Sequence, residues 1–257
     1  MDTRDAIQQQ FGAAAVRYAT SSYHQVSPDL DAMLAAVSCN GRERALDVGT
    51  GTGHTALAFA PHVAEVVGVD FTPAMLDQAR RLAAERGVAN VRFDEGDAMA
   101  LPYADASFDL VTCRVCAHHF ADPARAVREA ARVLRPGGLF LLVDSVAPED
   151  PAEDTFFNAI ELLRDRCHVR NHRVSEWCGM LIAAGFVPEH LDTFAVPLDF
   201  EEWVERIGTP EAERAALRAL FAGATQAVTE RFGLRTGPEW GFDVLIGLLR
   251  ATLPAAG

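Results

Sequence analysis

The chain has 257 residues, 49% of them hydrophobic and 23% charged, which is enough to form a sizeable core in one domain. Its formal net charge of −13 argues against a nucleic-acid-binding protein, which needs a basic face against phosphates, and against binding to an anionic membrane surface. No apolar run approaches the roughly 20 residues of a membrane span, and the N-terminus lacks the basic and then apolar layout of an export signal.

The five cysteines are scattered through the chain at positions 39, 113, 116, 167 and 178. An odd number at irregular spacing predicts reduced thiols and a cytoplasmic protein. Cys113 and Cys116 form a single CxxC without a second pair at zinc spacing, so no metal site is expected. The expected partners are a small-molecule substrate and, in a homodimer, a second copy of the chain, with no nucleic acid and no membrane.

Residues 1–40 are predicted to be helical, with a break near Ser27-Pro28, and strands and helices then alternate. We expect strands at 44–48, 64–69, 90–93, 108–113 and 139–143, and helices at 54–60, 73–86 and 122–134. Strands of near-continuous hydrophobicity separated by helices predict a parallel sheet covered on both faces. Beyond residue 147 we expect helices at 150–167 and 174–184, two more between 199 and 231, and strands at 187–196 and 242–249.

The most informative segment is the run from Asp47 to Gly53, where a strand feeds a glycine-rich turn and a helix follows. Ligands of open α/β sheets bind at the carboxyl ends of strands, and Gly49, Gly51 and Gly53 allow the backbone to approach one closely. The spacing is G-x-G-x-G, in contrast to the G-x-G-x-x-G that places a pyrophosphate on a helix N-terminus. The loop, which includes Thr50, therefore favours a nucleoside ligand without phosphates. Asp47 is a candidate partner for an ammonium group on it, directly or through water.

Acidic residues also follow the second and third predicted strands. Asp70 can accept hydrogen bonds from both hydroxyls of a ribose, or it can cap the next helix. Phe71 and Met75 then flank an adenine ring, unless they only pack in the core. Asp97 can accept from the adenine amino group while the Ala98 N–H serves a ring nitrogen; the alternative for Asp97 is a loop-stabilising role.

Together these segments resemble the class I S-adenosylmethionine-dependent methyltransferases, in particular the group of the ubiquinone/menaquinone-biosynthesis C-methyltransferases (methyltransferase type 11). The resemblance covers about 110 residues continuously and reaches further along the chain to a bacterial subgroup of small methyltransferases. It is carried by LDVGTGTG at 46–53, VVGVDFTPAML at 66–76, GDAMALPYADASFDLVTCR at 96–114, HHFADPARAVREAARVLRPGG at 118–138, LLVDSVAPED at 141–150, RDRCHVRNHRVSEWCGMLIAAGF at 164–186 and QQQFGAAAVRYATSSYH at 8–24.

The resemblance implies a Rossmann-like, doubly wound α/β fold with a seven-stranded sheet of order 3-2-1-4-5-7-6, the last strand antiparallel. It implies methyl transfer from S-adenosylmethionine to a small-molecule acceptor, with S-adenosylhomocysteine as product. It also implies that the N-terminal segment closes over the cofactor, with Tyr18 in contact. The main-chain carbonyl near Cys113 and Arg114 would take the cofactor's ammonium group. Quinone-type enzymes have a different sequence where this chain has CRVCAHHF (113–120), which argues against a quinone acceptor.

The resemblance also divides a single domain of residues 1–257 into three parts. Residues 1–40 are the N-terminal helical segment, 41–147 the cofactor-binding core, and 148–257 the substrate and lid half with the final strands. We expect the late helices to form a helical lid insertion over the substrate.

Candidates for contact with the acceptor come from the polar segments after the fourth and fifth strands. His119 and His168 can act as general bases because histidine titrates near neutral pH; His118 is a weaker candidate, and one of these rings can instead be structural. Asp144 follows the fifth strand and can face the substrate or cap a turn. Arg170 can bind an anionic group on the substrate, or it can pair on a solvated helix end. The aromatic residues Phe156, Phe157, Trp177, Phe200, Trp203 and Trp240 can line the acceptor site or pack in the core.

Three other functions remain open at this point. The first is S-adenosylmethionine-dependent chemistry other than methyl transfer. The second is an NAD-dependent oxidoreductase, which the loop spacing and the absence of a Tyr-x-x-x-Lys pair disfavour. The third is a non-catalytic cofactor-binding protein, which the intact loop and its acidic neighbours disfavour.

Overall fold

Seven strands form one sheet in the computed structural model, which describes residues 3–20 and 27–255. The strands are β1 (Arg44–Val48), β2 (Glu65–Asp70), β3 (Val91–Glu95), β4 (Phe108–Arg114), β5 (Leu134–Ser145), β6 (Val187–Asp199) and β7 (Gly241–Thr252). Their order is β3-β2-β1-β4-β5-β7-β6. β7 runs antiparallel to both of its neighbours and the remaining pairs are parallel. The predicted strand order and antiparallel last strand are confirmed.

Ten α-helices surround this sheet within the described ranges. They are α1 (Thr3–Ala19), α2 (Pro28–Ala35), α3 (His54–Phe59), α4 (Pro73–Glu85), α5 (Pro123–Val133), α6 (Pro151–Arg164), α7 (Val174–Ala183), α8 (Phe200–Ile207), α9 (Glu211–Ala222) and α10 (Gln226–Arg231). Within residues 3–20 and 27–255, no helix combines the length and the apolar character needed to cross a bilayer. The helical prediction for residues 21–26, like the matching part of the motif at 8–24, lies outside the described residues.

Two sequence expectations about elements are wrong. Residues 199–231 contain three helices instead of two, because Gly208 adopts a left-handed conformation (φ 79°) that ends α8 and Gly223 ends α9. β5 begins at Leu134, five residues before the predicted start, immediately after α5. Leu134 pairs with Phe108 across a register shift, so the Pro136-Gly137-Gly138 segment belongs to the strand.

The central strands are buried on both faces, as a parallel sheet between helices requires. Alternate residues of a strand point to opposite sides, so Ala45 belongs to one apolar cluster and Leu46 to the other, and Val66 and Val67 divide in the same way. The parallel direction of β1, β2, β4 and β5 brings their carboxyl ends to one edge of the sheet. The loops that leave this edge carry the polar side chains of the site.

Candidate active site

An open cavity lies at the carboxyl edge of the sheet, with an empty space of about 1420 Å³ that includes its mouth. The walls come from the loops after β1, β2, β4 and β5 and from α1, α6 and α8. The lining outside the loops includes Ile7, Phe11, Tyr18, Glu161, Arg164, Asp165, Leu198, Trp203, Arg206, Val244 and Ile246.

The glycine loop, residues 49–53, forms the floor of one end of this cavity. Gly51 has φ +52°, and no atom lies within 4 Å of the place where a Cβ would stand, so its backbone is open to a ligand. Gly49 has φ +65°, and a Cβ there would collide with the Cys116 side chain. The Gly51 N–H donates to Asp70 Oδ2 (2.9 Å) and the Thr50 N–H donates to the Val69 carbonyl (3.0 Å), which ties the loop to the end of β2.

Asp70 provides the observation that tests whether a nucleoside cofactor fits. One carboxylate oxygen accepts from the Thr72 N–H (2.8 Å) and the other from Gly51. Each oxygen keeps a second lone pair, and Asp70 lines the cavity, so two acceptor positions remain side by side for two neighbouring hydroxyls. Burial raises the pKa of Asp70, against hydrogen bonds from Thr72, Gly51 and Phe71, which lower it. The arrangement fits a ribose with both hydroxyls free.

The structure brings most of the predicted cofactor residues to the cavity. Those that line it are Tyr18, Gly49, Thr50, Gly51, Asp70, Phe71, Met75, Ala98 and Arg114. Phe71 and Met75 follow Asp70 in the same part of the wall, beside Gly96 and Ala98. The Arg114 side chain is buried and pairs with Asp29 (2.6 Å) and Ser27 (2.7 Å), so this guanidinium fastens the start of α2.

Asp47, Gly53, Asp97 and Cys113 are outside the cavity lining. Asp47 is 2% exposed beneath the loop, where it accepts from the hydroxyls of Thr50 (2.6 Å) and Thr112 (2.8 Å), and burial raises its pKa to about 6. From there it supports the loop. Its predicted role as a partner of an ammonium group, directly or through water, stays a prediction.

The other three have packing or turn roles in the structure. A Cβ on Gly53 would meet Phe93 and Ala79, so this glycine allows the helix after the loop to pack closely. Asp97 accepts from the Met99 N–H (2.8 Å), which is the loop-stabilising alternative. The Cys113 side chain is buried, with its Sγ 3.3 Å from that of Cys116.

His118 and Asp144 form the most informative pair at the other end of the cavity. Asp144, at the end of β5, is 1% exposed, and its Oδ1 lies 2.6 Å from His118 Nδ1 while its Oδ2 accepts from the His118 N–H (3.0 Å). His118 lines the cavity, and among the described residues its Nε2 has no hydrogen-bond partner. A carboxylate on Nδ1 sets the tautomer that carries its proton there, which leaves the Nε2 lone pair available.

The electrostatics of this pair favour a basic imidazole. Burial alone would lower the pKa of His118, but the charge and hydrogen bond of Asp144 outweigh it and raise the pKa above its ordinary 6.5. Burial would raise the pKa of Asp144, and the attraction of His118 reverses that effect, so the carboxyl has a lowered pKa. The pair therefore combines a buried carboxylate with a ring that takes up a proton readily.

The predicted bases His119 and His168 are poorer candidates than His118. His119 lines the cavity, but its Nδ1 lies 3.0 Å from the Cys167 carbonyl, and burial together with the charge of His118 lowers its pKa to about 4. His168 is outside the cavity lining and bonds Asn158 (3.2 Å), and its burial lowers the pKa to about 3. Neither ring binds a proton near neutral pH.

Arg170 and Asp144, the predicted substrate contacts, also have other partners. Arg170 lies away from the cavity lining and pairs with Asp154 (2.7 Å) and Glu176 (3.5 Å), which is the salt-bridged alternative. Asp144 contacts Nδ1 of the His118 ring, as described above. Among the six aromatic candidates, Trp203 lines the cavity and the others pack elsewhere.

Glu161 is a cavity residue that sequence reasoning missed. It lies on α6 four residues after Phe157 and next to Ile160, both of which are fully buried. A carboxylate on the buried face of an amphipathic helix is the signal that could have identified it.

Val115 connects the two ends of the site with a strained backbone. Its φ of 52° is an outlier for a β-branched residue, and such conformations cost about 1–3 kcal/mol. Val115 directly follows β4 and lines the cavity. The reversal of the chain there packs Cys116 against Gly49 and brings His118 to Asp144.

The antiparallel seventh strand, the G-x-G-x-G loop and the strand-end carboxylate together define a class I, Rossmann-like cofactor-dependent enzyme. A family model described as a methyltransferase domain matches residues 46–142. The methyltransferase YcgJ of Bacillus subtilis is 46% identical over 200 residues, which are 78% of this chain and 79% of that protein. Its crystal structure has a TM-score of 0.86 at 40% identity, covering 89% of this chain and 99% of that one.

Two further relatives extend the comparison. The protein YafE of Escherichia coli is 35% identical over 77% of this chain and 96% of its own length. A demethylmenaquinone methyltransferase of Deinococcus radiodurans is 41% identical over 57% of this chain and 63% of its own length. The chain therefore belongs to the class I S-adenosylmethionine-dependent methyltransferases of the ubiquinone/menaquinone-biosynthesis type. The family assignment makes it a methyl-transferring enzyme.

Proposed function

We propose that the protein methylates a small-molecule acceptor at a hydroxyl oxygen or an acidic carbon, from which His118 removes the proton. The observation that carries this proposal is the unpartnered Nε2 of His118 in the same cavity as the glycine loop, with Asp144 2.6 Å behind the ring. When bound, S-adenosylmethionine supplies an electrophilic methyl group on its sulfonium and leaves as S-adenosylhomocysteine.

The residues around the glycine loop fit the nucleoside part of this cofactor. Asp70 would accept the two ribose hydroxyls at its remaining lone pairs. Phe71 and Met75 would flank the adenine, and the Ala98 N–H would serve a ring nitrogen. Tyr18 of α1 would cover the ligand from the other side of the cavity.

His118 then removes the proton of the acceptor, and Asp144 stabilises the protonated ring. His118 takes it at Nε2, and the resulting imidazolium is stabilised by the Asp144 carboxylate on Nδ1. Phe11, Phe120 and Ile246 contribute apolar surface to the cavity wall. Holding the two reactants in one cavity supplies the orientation on which a displacement depends.

The division of the cavity wall supports the proposed organisation of the single domain. Residues from 41–147 supply the loops around the proposed cofactor site. Residues from 148–257 supply α6, α8 and the strand residues that, with His118, line the rest of the cavity, which we call the acceptor end. The free thiols of all five cysteines support a cytoplasmic location.

The test is turnover of phenolic and amine acceptors as a function of pH, measured as S-adenosylhomocysteine formation. A base must be unprotonated, so kcat/KM for phenols should rise with pH through a pKa above 6.5, the direction in which Asp144 moves His118. His118→Asn should lower kcat by about 10²–10⁴-fold with unchanged cofactor affinity. Asp144→Asn should lower kcat and move the rise of the pH–rate profile to lower pH, because it removes the group that raises the His118 pKa.

His190→Asn is the matched control, since His190 lies exposed on β6. Wild-type rates in His118→Asn, or methylation of amines alone, would overturn the role of the base. Binding of NAD in place of S-adenosylmethionine in a parallel calorimetric titration would overturn the cofactor.

A further inference from the structure

Glu161 is the one described acidic residue in the acceptor end whose carboxyl lacks a close partner. It is 7% exposed and lines the cavity, and its Oε1 makes no hydrogen bond to the described residues. Its Oε2 has only a 3.4 Å contact with Arg164, longer than the 2.9–3.0 Å of a normal N–H···O bond. The carboxyl therefore faces the cavity without a short hydrogen bond to the described residues, so a donor group of a ligand can reach it.

Arg164 also has contacts with Trp203, which hold part of its guanidinium away from Glu161. Its Nε donates to the Trp203 carbonyl (3.1 Å), and its guanidinium lies 5.3 Å from the centre of the Trp203 ring. Burial raises the pKa of Glu161, and the nearby Arg164 and His118 charges lower it only in part. The carboxyl therefore gains from any further hydrogen-bond donor that enters the cavity.

Asp165, the neighbouring acid, differs from Glu161 in this respect. Its Oδ1 accepts from Gln10 (2.6 Å) and from the Cys167 N–H (2.8 Å), and its Oδ2 lies 3.7 Å from His119. Its carboxyl is committed to holding α1 and the segment after α6.

We infer that Glu161 binds the acceptor by accepting a hydrogen bond from a hydroxyl other than the one that is methylated. The inference rests on the proposed function and specifies its substrate class. Besides Glu161, the cavity lining carries the acidic side chain of Asp165 and the basic side chains of Arg164 and Arg206. An uncharged acceptor fits this balance, because an ammonium group would face the two arginines and a carboxylate would face the two acids.

The experiment uses four phenols that share the reacting hydroxyl and differ at the far end of a two-carbon side chain. They are 4-ethylphenol, tyrosol with a hydroxyl, tyramine with an ammonium and 4-hydroxyphenylacetate with a carboxylate. Binding to the complex with S-adenosylhomocysteine is measured by calorimetry, and turnover is measured separately. We expect tyrosol to bind about tenfold or more tightly than 4-ethylphenol, and the two charged compounds to bind weakest.

Glu161→Leu should abolish the preference for tyrosol by raising its KM and Kd to those of 4-ethylphenol. Glu161→Gln retains an acceptor oxygen and should keep part of the preference, which also covers the case in which the leucine variant does not fold. Glu153→Gln is the control, because Glu153 is also buried on α6 but pairs with Arg231 outside the cavity.

Equal binding of tyrosol and 4-ethylphenol, or an unchanged preference in Glu161→Leu, would overturn the inference, and so would preferred binding of tyramine. These outcomes are distinct from failure of the proposed function. If the proposed function fails, turnover of the four phenols does not depend on His118. Binding to the complex with S-adenosylhomocysteine is measured without turnover and still tests the inference.

Discussion

The two carboxylate oxygens of Asp70 hold the glycine loop, and the proposed ribose site uses the same two oxygens. Its bonds to the Gly51 and Thr72 N–H groups fix the carboxylate at the end of β2, so the remaining lone pairs are oriented before a ligand arrives. Such preorganisation reduces the entropy lost on binding.

Asp70→Ala should raise the dissociation constant for S-adenosylmethionine on the order of 100-fold, since it removes two hydrogen bonds to a charged acceptor, worth about 3 kcal/mol together. Calorimetric titration with S-adenosylmethionine and S-adenosylhomocysteine measures this change. Asp94→Ala is the control, because Asp94 lies on β3 outside the cavity lining and pairs with Arg92. An unchanged affinity in Asp70→Ala would show that the ribose is bound elsewhere.

Residues at strand ends were predictable from the sequence, and their side-chain partners were not. Asp70, Phe71 and Ala98 follow apolar runs, and parallel strands bring such positions to one edge. The same reasoning proposed His119 and His168 as bases and ranked His118 below them. The structure favours His118 instead, because its ring contacts Asp144, 26 residues away in the sequence, and only the packed loops create that contact.

At the scale of elements, α1 spans both halves of the cavity. Gln8 donates to the Phe71 carbonyl on the cofactor side, and Gln10 donates to Asp165 on the acceptor side. Further along, the Arg17 side chain donates to the Arg206 carbonyl. Because these polar contacts join α1 to both sides of the cavity, its local stability is expected to depend on what the cavity contains.

The double variant Gln8→Ala/Gln10→Ala should loosen α1 by about 2 kcal/mol, at roughly 1 kcal/mol for each hydrogen bond. Amide hydrogen exchange should become faster in α1 of the free protein, and S-adenosylhomocysteine should restore part of the protection. Gln9→Ala, at an exposed position of the same helix, is the control. Exchange in α1 that equals that of the wild type would contradict the anchoring role of the two glutamines.

Element types were easier to predict than element limits. The strands β1 to β4 were predicted within two residues at each end, because each is a short apolar run with polar or glycine residues around it. The start of β5 was missed because proline and glycine normally end regular structure, whereas here the pairing of Leu134 with Phe108 extends the strand.

For the whole molecule, the buried neutral histidines make stability sensitive to acid. The folded-state pKa values of His119 (about 4) and His168 (about 3) lie below the ordinary 6.5, so the unfolded chain binds these protons first as the pH falls. Each ring then lowers the free energy of unfolding by about 1.4 kcal/mol for every pH unit below 6.5, until its folded-state pKa is reached. His118 acts oppositely: its raised pKa stabilises the fold below 6.5, and that contribution is lost as the pH rises through the folded value.

His168→Gln should therefore reduce the loss of unfolding free energy between pH 7 and pH 5, because glutamine takes up no proton in the unfolded chain. Urea unfolding at several pH values, with His62→Gln at an exposed position as the control, measures the difference. If the free energy of unfolding depends on pH equally in His168→Gln and in the wild type, the lowered pKa of His168 is contradicted.

The position of Trp203 gives the molecule a built-in optical signal. The chain has three tryptophans, and of these Trp203 lines the cavity, where Arg164 lies against its ring, while Trp177 and Trp240 pack elsewhere. Indole emission changes in colour and intensity with the polarity and charge beside the ring. Light emitted by Trp203 therefore reports the occupancy of the acceptor end in the unlabelled protein, for compounds that are bound without being methylated as well as for those that react.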